Sequence, residues 1–291
     1  MFTSAAQLKD YIKNKSKQTG AHANVLLQNY VMERFLIRLS LSPYRENMIL
    51  KGGFLIAAMV GIGNRSTMDM DATIKGLPLN QGELKRILHE IIAIDIGDGM
   101  IFEVVGLRSI RDVSDYDDFR VSLRATMFSI RVDMKIDFTI GDAIIPREIE
   151  YQYKLMFENR SIPVMAYNIY TILAEKVESI LARGVSNTRG RDYYDVYVLL
   201  TINKDTLSKR ELLHALMVKA TERGNNAALD NQVRILRDIA ESPDIKKIWD
   251  AYKSRYLYAK GITLSEILSL IAWIFDDSIL TSEDANDVDN L

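Results

Sequence analysis

Residues 48–74 read MILKGGFLIAAMVGIGNRSTMDMDATI, and this stretch decides the fold. Its opening apolar residues predict a short strand, which ends at the glycine pair Gly52 and Gly53. The apolar segment after the glycines predicts a short helix, and the glycines and asparagine at 61–64 favour its end. The next seven residues, MDMDATI, alternate between apolar and polar side chains, as a half-buried strand does. The predicted order is therefore strand, glycine turn, helix and strand.

Two carboxylates lie on the last of these strands. The alternation puts Asp69, Asp71 and Thr73 on the open face, and it puts Met68 and Met70 on the buried face. Carboxylates two residues apart on a strand lie ~7 Å from each other at the backbone, close enough for their side chains to share hard divalent cations. Metal-dependent nucleotidyl transfer uses two such ions, one for the attacking oxygen and one for the triphosphate. The alternative is a solvated strand face without a ligand.

The glycine pair favours the metal site over the bare strand face. Gly52 and Gly53 lie at the start of the predicted helix, where backbone N–H groups can receive phosphate oxygens. A phosphate-binding turn followed by paired carboxylates indicates a site for a nucleotide and its metal ions.

The rest of the amino-terminal half mixes helical and strand periodicity. Helical spacing marks residues 21–41 and 81–94. Three alternating runs, at 101–110, 119–127 and 131–140, suit an antiparallel meander, with the polar turn SDYDD between the first two.

Helical periodicity alone continues past about Tyr167, so we expect an α+β fold in two parts. Residues 1–165 would form an α/β core with N-terminal helices and a mixed or antiparallel sheet. Residues 166–280 would form a helical carboxy-terminal domain, followed by an acidic tail at 281–291.

The third alternating run contains further carboxylates. RVDMKIDFTI places Asp133 and Asp137 on the polar face of its strand. If this strand lies beside the strand of Asp69 and Asp71, one of the two acids completes the metal site, and Asp137 is the candidate. The spacing leaves the choice between Asp133 and Asp137 open.

The helical half has charged residues at apolar positions. In NIYTILAEKVESILAR, Lys176 falls inside the apolar arc, whereas Glu175 and Glu178 fall outside it. A lysine at such a position either extends to the surface or points into a polar cleft. In RDYYDVYVLL, a helix would place Asp192 between the directions of Val196 and Leu199, and it would place Asp195 at the edge of that apolar face.

Asp192 follows a basic turn that contains Arg189 and Arg191. It either caps its own helix or acts as an active-site acid. We expect the helical domain to contribute Lys176 and Asp192 to the cleft, with Arg191 and Asp195 in nucleotide binding.

The composition excludes several other classes of site. The chain has no cysteine, which excludes thiolate catalysis, disulfides and cysteine-type zinc sites. Packing or surface roles are favoured over metal ligation for His22, His89 and His214, which are far apart in sequence. A net charge of -2 means that RNA would be bound by a local basic patch. Residues 1–20 lack a signal-peptide core, and the apolar stretch 54–62 is too short to span a membrane, so a soluble cytoplasmic protein is expected.

The run KKIWDAYKSRYLYAK, at 246–260, combines basic and aromatic residues. This composition is typical of nucleic-acid contacts, with charges for phosphates and rings for bases. The other interpretation is an amphipathic helix with a solvated face.

Three of these strings resemble motifs of one family, in the same order. KGGFLIAAMVGIGNRSTMDMD, AEKVESILAR and RGRDYYDVYVLL look like the AbiEii/AbiGii toxin family, the toxin half of bacterial abortive-infection toxin–antitoxin systems. The resemblance runs from about residue 26 to residue 200. It implies a nucleotidyltransferase fold of the DNA polymerase β superfamily, Mg2+ or Mn2+ as cofactor, an NTP as substrate and a role in phage defence. It also implies an antitoxin encoded alongside, without necessarily a stable complex.

The family motifs match site residues in both halves of the chain. The glycine pair, the residues before the metal acids, and the acids themselves correspond to Gly52, Gly53, Arg65, Thr67, Asp69 and Asp71. The lysine that would bind triphosphate corresponds to Lys176, and the acid that would act in catalysis corresponds to Asp192. Many relatives have a small hydroxyl residue after the glycines, where this chain has Phe54, so we expect nucleotide affinity or preference to differ.

The expected function is nucleotidyl transfer to an RNA, with the 3′ end of tRNA as acceptor, because some relatives modify that end. Replacing Asp69 or Lys176 with alanine is then expected to abolish growth inhibition and to leave the fold intact. Two alternatives stay open, a metal-dependent nuclease or phosphatase with the same acids, and a non-catalytic nucleotide-binding module.

Overall fold

The structure is a computed structural model, and it describes residues 2–77, 80–110 and 118–276. The chain divides into two compact units, Met1–Asn168 and Ile169–Leu291. Of the helices described, none is long and apolar enough to cross a membrane. The expected turn SDYDD, apart from its last residue, and the expected acidic tail lie outside the described residues.

The helices of the first unit precede the sheet or connect its strands. They are α1 (Ala5–Thr19), α2 (Ala23–Leu41), α3 (Gly52–Val60) and α4 (Gln81–Ile92). α1 begins after Ser4, whose hydroxyl accepts the N–H of Gln7, and it ends at Gly20 in the left-handed region, with φ 73°. α2 is buried around almost its whole circumference, so it forms the centre of the helical layer of this unit.

A mixed sheet forms the rest of the first unit. Its strands are β1 (Met48–Lys51), β2 (Met70–Ile74), β3 (Ile101–Ile110), β4 (Asp118–Met127), β5 (Ile130–Ile140), β6 (Ile149–Lys154) and β7 (Ser161–Ala166). Among the described residues, their order across the sheet is β3-β4-β5-β2-β1-β7-β6. The β3–β4–β5 meander is antiparallel, β2 runs parallel to β5 and antiparallel to β1, and β1 runs parallel to β7. The predicted mixed sheet is confirmed, and β2 lies at its centre.

One face of the sheet is packed into the hydrophobic core. Met70 and Ala72 of β2 and Ile136 and Phe138 of β5 are all at most 4% exposed. Each large apolar side chain buried in this way stabilises the fold by about 1.5–3 kcal/mol relative to its exposed state. The opposite face of β2 and β5 is where the polar residues lie, and it positions the candidate site.

Two residues of MDMDATI depart from the predicted pattern. Met68, expected on the buried face, is 48% exposed, because β2 begins only at Met70. Thr73, expected on the open face, is 1% exposed, and its hydroxyl donates to the carbonyl of Thr139 at 3.2 Å. The open polar positions of this segment are therefore Asp69, just before β2, and Asp71 on the strand.

The alternating pattern does not predict β6 and β7. β6 pairs only with β7 at an edge of the described sheet, and most of its residues are exposed or half-buried, so it lacks a strong apolar alternation. β7 contains Pro163, a residue that is rare in strands because it cannot donate a hydrogen bond to the ladder.

The described part of the second unit is helical. Its α-helices are α5 (Ile169–Arg183), α6 (Gly190–Asn203), α7 (Lys209–Glu222), α8 (Asn226–Asp230), α9 (Gln232–Glu241), α10 (Pro243–Arg255) and α11 (Leu264–Ile274). Two 3-10 turns, Gly184–Ser186 and Leu257–Ala259, follow α5 and α10. α11 begins with a capping box, in which Thr263 and Glu266 satisfy each other's backbone N–H groups.

The aromatic residues of the 246–260 run are used in packing. Trp249 is 2% exposed, and its indole N–H donates to a backbone carbonyl at 3.1 Å. Tyr252, Tyr256 and Tyr258 pack on one another with ring centroids 4.7–6.4 Å apart. Tyr258 also packs on Tyr194 of α6, at 4.7 Å. The amphipathic-helix interpretation therefore fits this run, whose rings pack on one another and on Tyr194.

Candidate active site

The glycine turn and the second aspartate are in direct contact. β1 ends at Lys51 and α3 begins at Gly52, whose φ of 67° lies in the left-handed region that favours glycine. A Cβ on Gly52 would lie 2.1 Å from Oδ2 of Asp71, far inside van der Waals contact. Glycine is required at this position both for its backbone conformation and for the space that the carboxylate of Asp71 occupies.

The second glycine faces the residues that precede the aspartates. A Cβ on Gly53 would lie 3.1 Å from Nη2 of Arg65 and 3.1 Å from Oγ1 of Thr67. Arg65 is buried, at 4% exposure, and the hydroxyl of Thr67 donates to the backbone carbonyl of Asp69 at 3.3 Å. The structure thus brings the glycine pair, the two residues of the lead-in and the two aspartates together within the first unit.

The two aspartates fit an open site for a hard divalent cation by their chemistry. Asp69 is exposed and immediately precedes β2, and Asp71 is half-buried on the strand. Mg2+ bound with nucleotides usually takes one or two carboxylates and fills its other positions with water and phosphate oxygens. Among the described residues, no three acidic or imidazole side chains are grouped as a closed metal cage requires. Water molecules, or the phosphate oxygens of a bound nucleotide, would complete the coordination of such an ion.

A row of charged residues crosses the sheet at Asp71. Residues opposite each other on neighbouring strands have their side chains on the same face. From β3 to β1 the row consists of Arg108, Arg120, Asp137, Asp71 and Lys51. Asp133 lies four residues before Asp137 on β5, outside this row, and pairs with Arg124 at 2.8 Å. The structure therefore places Asp137, and not Asp133, beside Asp71.

Arg120 is bound to the carboxylate of Asp137. Its Nε and Nη2 donate to the two oxygens at 2.7 and 2.6 Å, which is a bidentate pair. The hydrogen bond to Asp137 is the largest cause that raises the pKa of Arg120, and the negative charges of Asp69 and Asp71 add to it. The guanidinium thus lies in the electrostatic field of all three carboxylates.

Lys51, at the β1 end of the row, is a site residue that the sequence patterns do not single out. It is 8% exposed, its ammonium donates to Oγ1 of Thr139 at 2.7 Å, and it pairs with Asp142. The hydroxyl of Tyr167 donates to the same carboxylate at 2.8 Å. This network anchors the end of β1, from which the glycine turn starts. Its sequence signal is a lysine that closes an apolar strand directly before two glycines.

Phe54, the residue after the glycine pair, belongs to the core. It is 1% exposed, and its ring stacks on Tyr153 with centroids 5.6 Å apart. A phenylalanine at this position therefore stabilises the packing between α3 and β6, and it offers no hydroxyl to a ligand.

In the second unit, Lys176 of α5 lies between two aspartates of α6. Its Nζ is 2.7 Å from Oδ1 of Asp192 and 3.1 Å from Oδ2 of Asp195. The side chains of the two aspartates are 4% and 0% exposed, and that of the lysine is 16% exposed. Lys176 thus points to polar partners instead of extending into solvent. Asp192 does not cap its helix, because the N-cap residue of α6 is Arg189.

A family model covers both units. The model described as nucleotidyl transferase AbiEii toxin, type IV toxin–antitoxin system, matches residues 34–275, which is most of the chain. The chain belongs to the AbiEii nucleotidyl transferase toxin family. The predicted family is confirmed, and so is the predicted fold class, an α+β nucleotidyltransferase core followed by helices.

The comparison with solved structures finds matches at low sequence identity to this AbiEii protein. A candidate nucleotidyltransferase from Helicobacter pylori is 15% identical, with a TM-score of 0.49 over 86% of this chain and 94% of its own. JHP933 from Helicobacter pylori is 16% identical, with a TM-score of 0.49 over 87% and 93%. An antigenic nucleotidyltransferase-like protein from Paracoccidioides brasiliensis is 14% identical, with a TM-score of 0.32 over 78% and 94%. No curated protein matches the chain.

The other ionisable residues that the sequence singles out in the AbiEii protein are either exposed or paired. Arg191 is exposed in the first turn of α6, where it is accessible to an anion. Glu178, expected outside the apolar arc of α5, is 2% exposed, because it pairs with Arg223, the residue directly after α7, at 2.6 Å and accepts from Asn225 at 2.6 Å. The three histidines are all exposed.

Proposed function

We propose that this AbiEii toxin transfers a nucleotide from an NTP to the 3′ end of an RNA, with tRNA as the acceptor and pyrophosphate as the leaving group. The observation that supports this most is the contact of the glycine turn with Asp71, at the centre of the sheet. It joins a helix start suited to phosphate with a carboxylate pair suited to metal ions.

The first unit would bind the metal ions and the phosphates. Asp69 and Asp71 would hold Mg2+ or Mn2+, with Asp137 as a third acid, and the N–H groups of the glycine turn would receive phosphate oxygens. The buried guanidinium of Arg65, next to Gly53, would add positive charge behind the phosphates. When bound, the ions activate the attacking hydroxyl and neutralise charge on the triphosphate.

For the second unit, we propose residues that act on the triphosphate and on the acceptor. Lys176 would neutralise the triphosphate, with Asp195 orienting its ammonium, and Arg191 would add positive charge. Asp192 would orient the acceptor hydroxyl and receive its proton. The hydroxyl oxygen then bonds to the α-phosphorus, and the bond from that phosphorus to the pyrophosphate oxygen breaks.

The biological consequence would be growth arrest. A tRNA with a blocked 3′ end cannot be aminoacylated, so translation in the cytoplasm would stop, and arrest of an infected cell would limit phage multiplication. As a member of a type IV toxin family, the protein would be counteracted by an antitoxin encoded alongside.

The length of RNA after reaction tests the proposal. Purified protein, Mg2+, one NTP at a time and total bacterial tRNA are incubated, and the RNA is separated on a denaturing gel. The expected result is a longer RNA with one or more NTPs, and a rate reduced by roughly 10²-fold or more in Asp69→Asn.

Asp133→Asn is the matched control. Asp133 is an exposed carboxylate of the same sheet, but it pairs with Arg124, away from the glycine turn. This variant should retain the activity. Shortened RNA would identify a nuclease, and RNA of unchanged length with every NTP, despite NTP binding, would identify a binding module. Either result would overturn the proposal.

A further inference from the structure

Arg120 and a metal ion at the proposed site require the same carboxylate. Asp137 is the strand neighbour of Asp71, so it is the acid best placed to join the aspartate pair. Both of its oxygens already accept hydrogen bonds from Arg120, at 2.7 and 2.6 Å. An ion that binds Asp137 therefore competes with a guanidinium for its charge.

We infer that Arg120 is a positioning residue that sets the metal affinity of this site: it holds Asp137 in the metal-free protein and yields it to the divalent ion. The inference rests on the proposed function, because it takes Asp69 and Asp71 as the first ligands of the ion. The negative charges of Asp69, Asp71 and Asp137 all act on Arg120, and like charges this near one another repel. Arg120 relieves this repulsion when no metal is bound, and its charge weakens metal binding for the same reason.

The pair is exposed enough to be exchanged. The side chains of Arg120 and Asp137 are 34% and 30% exposed, so solvent screens their attraction. A divalent ion attracts a carboxylate more strongly than a singly charged guanidinium with delocalised charge does. A buried pair such as Arg38 and Asp98, at 2% and 1% exposure, would not be exchanged in this way.

The same two strands provide a matched control. Arg124 and Asp133 form a second bidentate pair between β4 and β5, with Nε–Oδ1 and Nη2–Oδ2 distances of 2.8 and 3.1 Å. The register of β2 with β5 begins at Met70 and Ile136, so Asp133 has no neighbour on β2 among the described residues. Removing Arg124 changes the same number of charges and hydrogen bonds away from the proposed metal ligands.

The test is the affinity of the nucleotide-free protein for Mn2+, measured by calorimetry and by the electron paramagnetic resonance signal of free Mn2+. Arg120→Gln should bind Mn2+ roughly three- to tenfold more tightly than the wild type, because it removes a competing positive charge. Arg120→Lys keeps the positive charge but loses the bidentate hydrogen bond, so it should show a smaller gain in Mn2+ affinity. Arg124→Gln should stay within about twofold of the wild type. Circular dichroism checks that each variant is folded.

The double variant Arg120→Gln with Asp137→Asn tests whether the gain in Mn2+ affinity depends on the carboxylate of Asp137. It should lose the gain, because the released carboxylate is then absent. An affinity of Arg120→Gln equal to that of Arg124→Gln, or a gain that survives Asp137→Asn, would overturn the inference while leaving the proposed function standing. Wild-type Mn2+ binding that Asp69→Asn does not weaken would instead overturn the metal site of the proposed function itself.

Discussion

Replacing Lys176 with methionine should destabilise the second unit by about 3–5 kcal/mol, the cost of removing one partner from a buried ion pair. The ammonium is 2.7 Å from Asp192 and 3.1 Å from Asp195, and the two carboxylates are 4% and 0% exposed. Without the lysine, two negative charges one helical turn apart are left buried. The alkyl chain of methionine retains most of the packing volume, so the effect isolates the charge.

Tryptophan fluorescence in urea measures this unit alone. The chain has two tryptophans, and both, Trp249 and Trp273, lie in the second unit. With a urea dependence of about 1–3 kcal/mol per molar, typical of a small domain, the loss should lower the unfolding midpoint by about 2 M. The wild-type transition provides the reference.

The variant Lys176→Met with Asp192→Asn and Asp195→Asn is the control. It removes the two buried charges together with their counter-ion, so it should recover most of the lost stability. A midpoint of Lys176→Met equal to that of the wild type would refute the reasoning. The expectation from sequence alone, that alanine at this position leaves the fold intact, differs from this one, and activity loss in Lys176 variants must be compared with their folded fraction.

Three further substitutions follow from the first unit. Gly52→Ala should cost about 1–2 kcal/mol in left-handed backbone strain, and its Cβ should displace Asp71. Mn2+ affinity and thermal stability should therefore both fall more than in Gly53→Ala. Equal losses in the two variants would contradict the close approach of Gly52 to Asp71. Burial raises the pKa of Glu33 to about 7 from 4.5, so the folded state binds the proton more tightly. Stability should therefore fall by about 3 kcal/mol as pH rises from 4.5 to 7, and circular-dichroism unfolding should show no such slope from this group in Glu33→Gln. Phe54→Ser should lower stability by about 3–5 kcal/mol in circular-dichroism unfolding, and it should not improve NTP affinity. Tighter NTP binding would contradict the core position of this side chain.

The residues close to one another in sequence were predictable as a group. Gly52 and Asp71 belong to one strand–helix–strand unit, and local geometry brings the start of that helix against the second strand. The periodicity of MDMDATI also predicts which side chains of β2 lie opposite the core. Its limits appear at Met68, which precedes the strand, and at Thr73, which a neighbouring strand covers.

The contacts across the sheet depend on strand register, which periodicity does not determine. Alternation places Arg120 and Asp137 on polar faces, but their pairing follows from the antiparallel register of β4 with β5. The partners of Lys51 are 88 and 91 residues away along the chain, and only the assembled sheet brings them together. The position of Asp137, and not Asp133, beside Asp71 has the same origin, since it is set by the register of β2 with β5.

In the helical unit, periodicity shows that a lysine lies at an apolar position, but it does not show which residues pair with that lysine. The position of Lys176 in the apolar arc of α5 required a polar partner, and the partners are two acids of the next helix. The burial of Glu178 was not predictable in this way, because the apolar arc of α5 does not show that Arg223, at the end of α7, pairs with the other side of the helix.

The position of the transferred label tests the central claim most directly. The toxin is incubated with Mg2+, tRNA and one NTP that is labelled either at the α-phosphate or at the γ-phosphate. The account predicts α-label on the RNA and γ-label in pyrophosphate, both lost in Asp69→Asn and both retained in Asp133→Asn. Transfer of γ-label to the RNA, or α-label transfer that persists in Asp69→Asn, would contradict it.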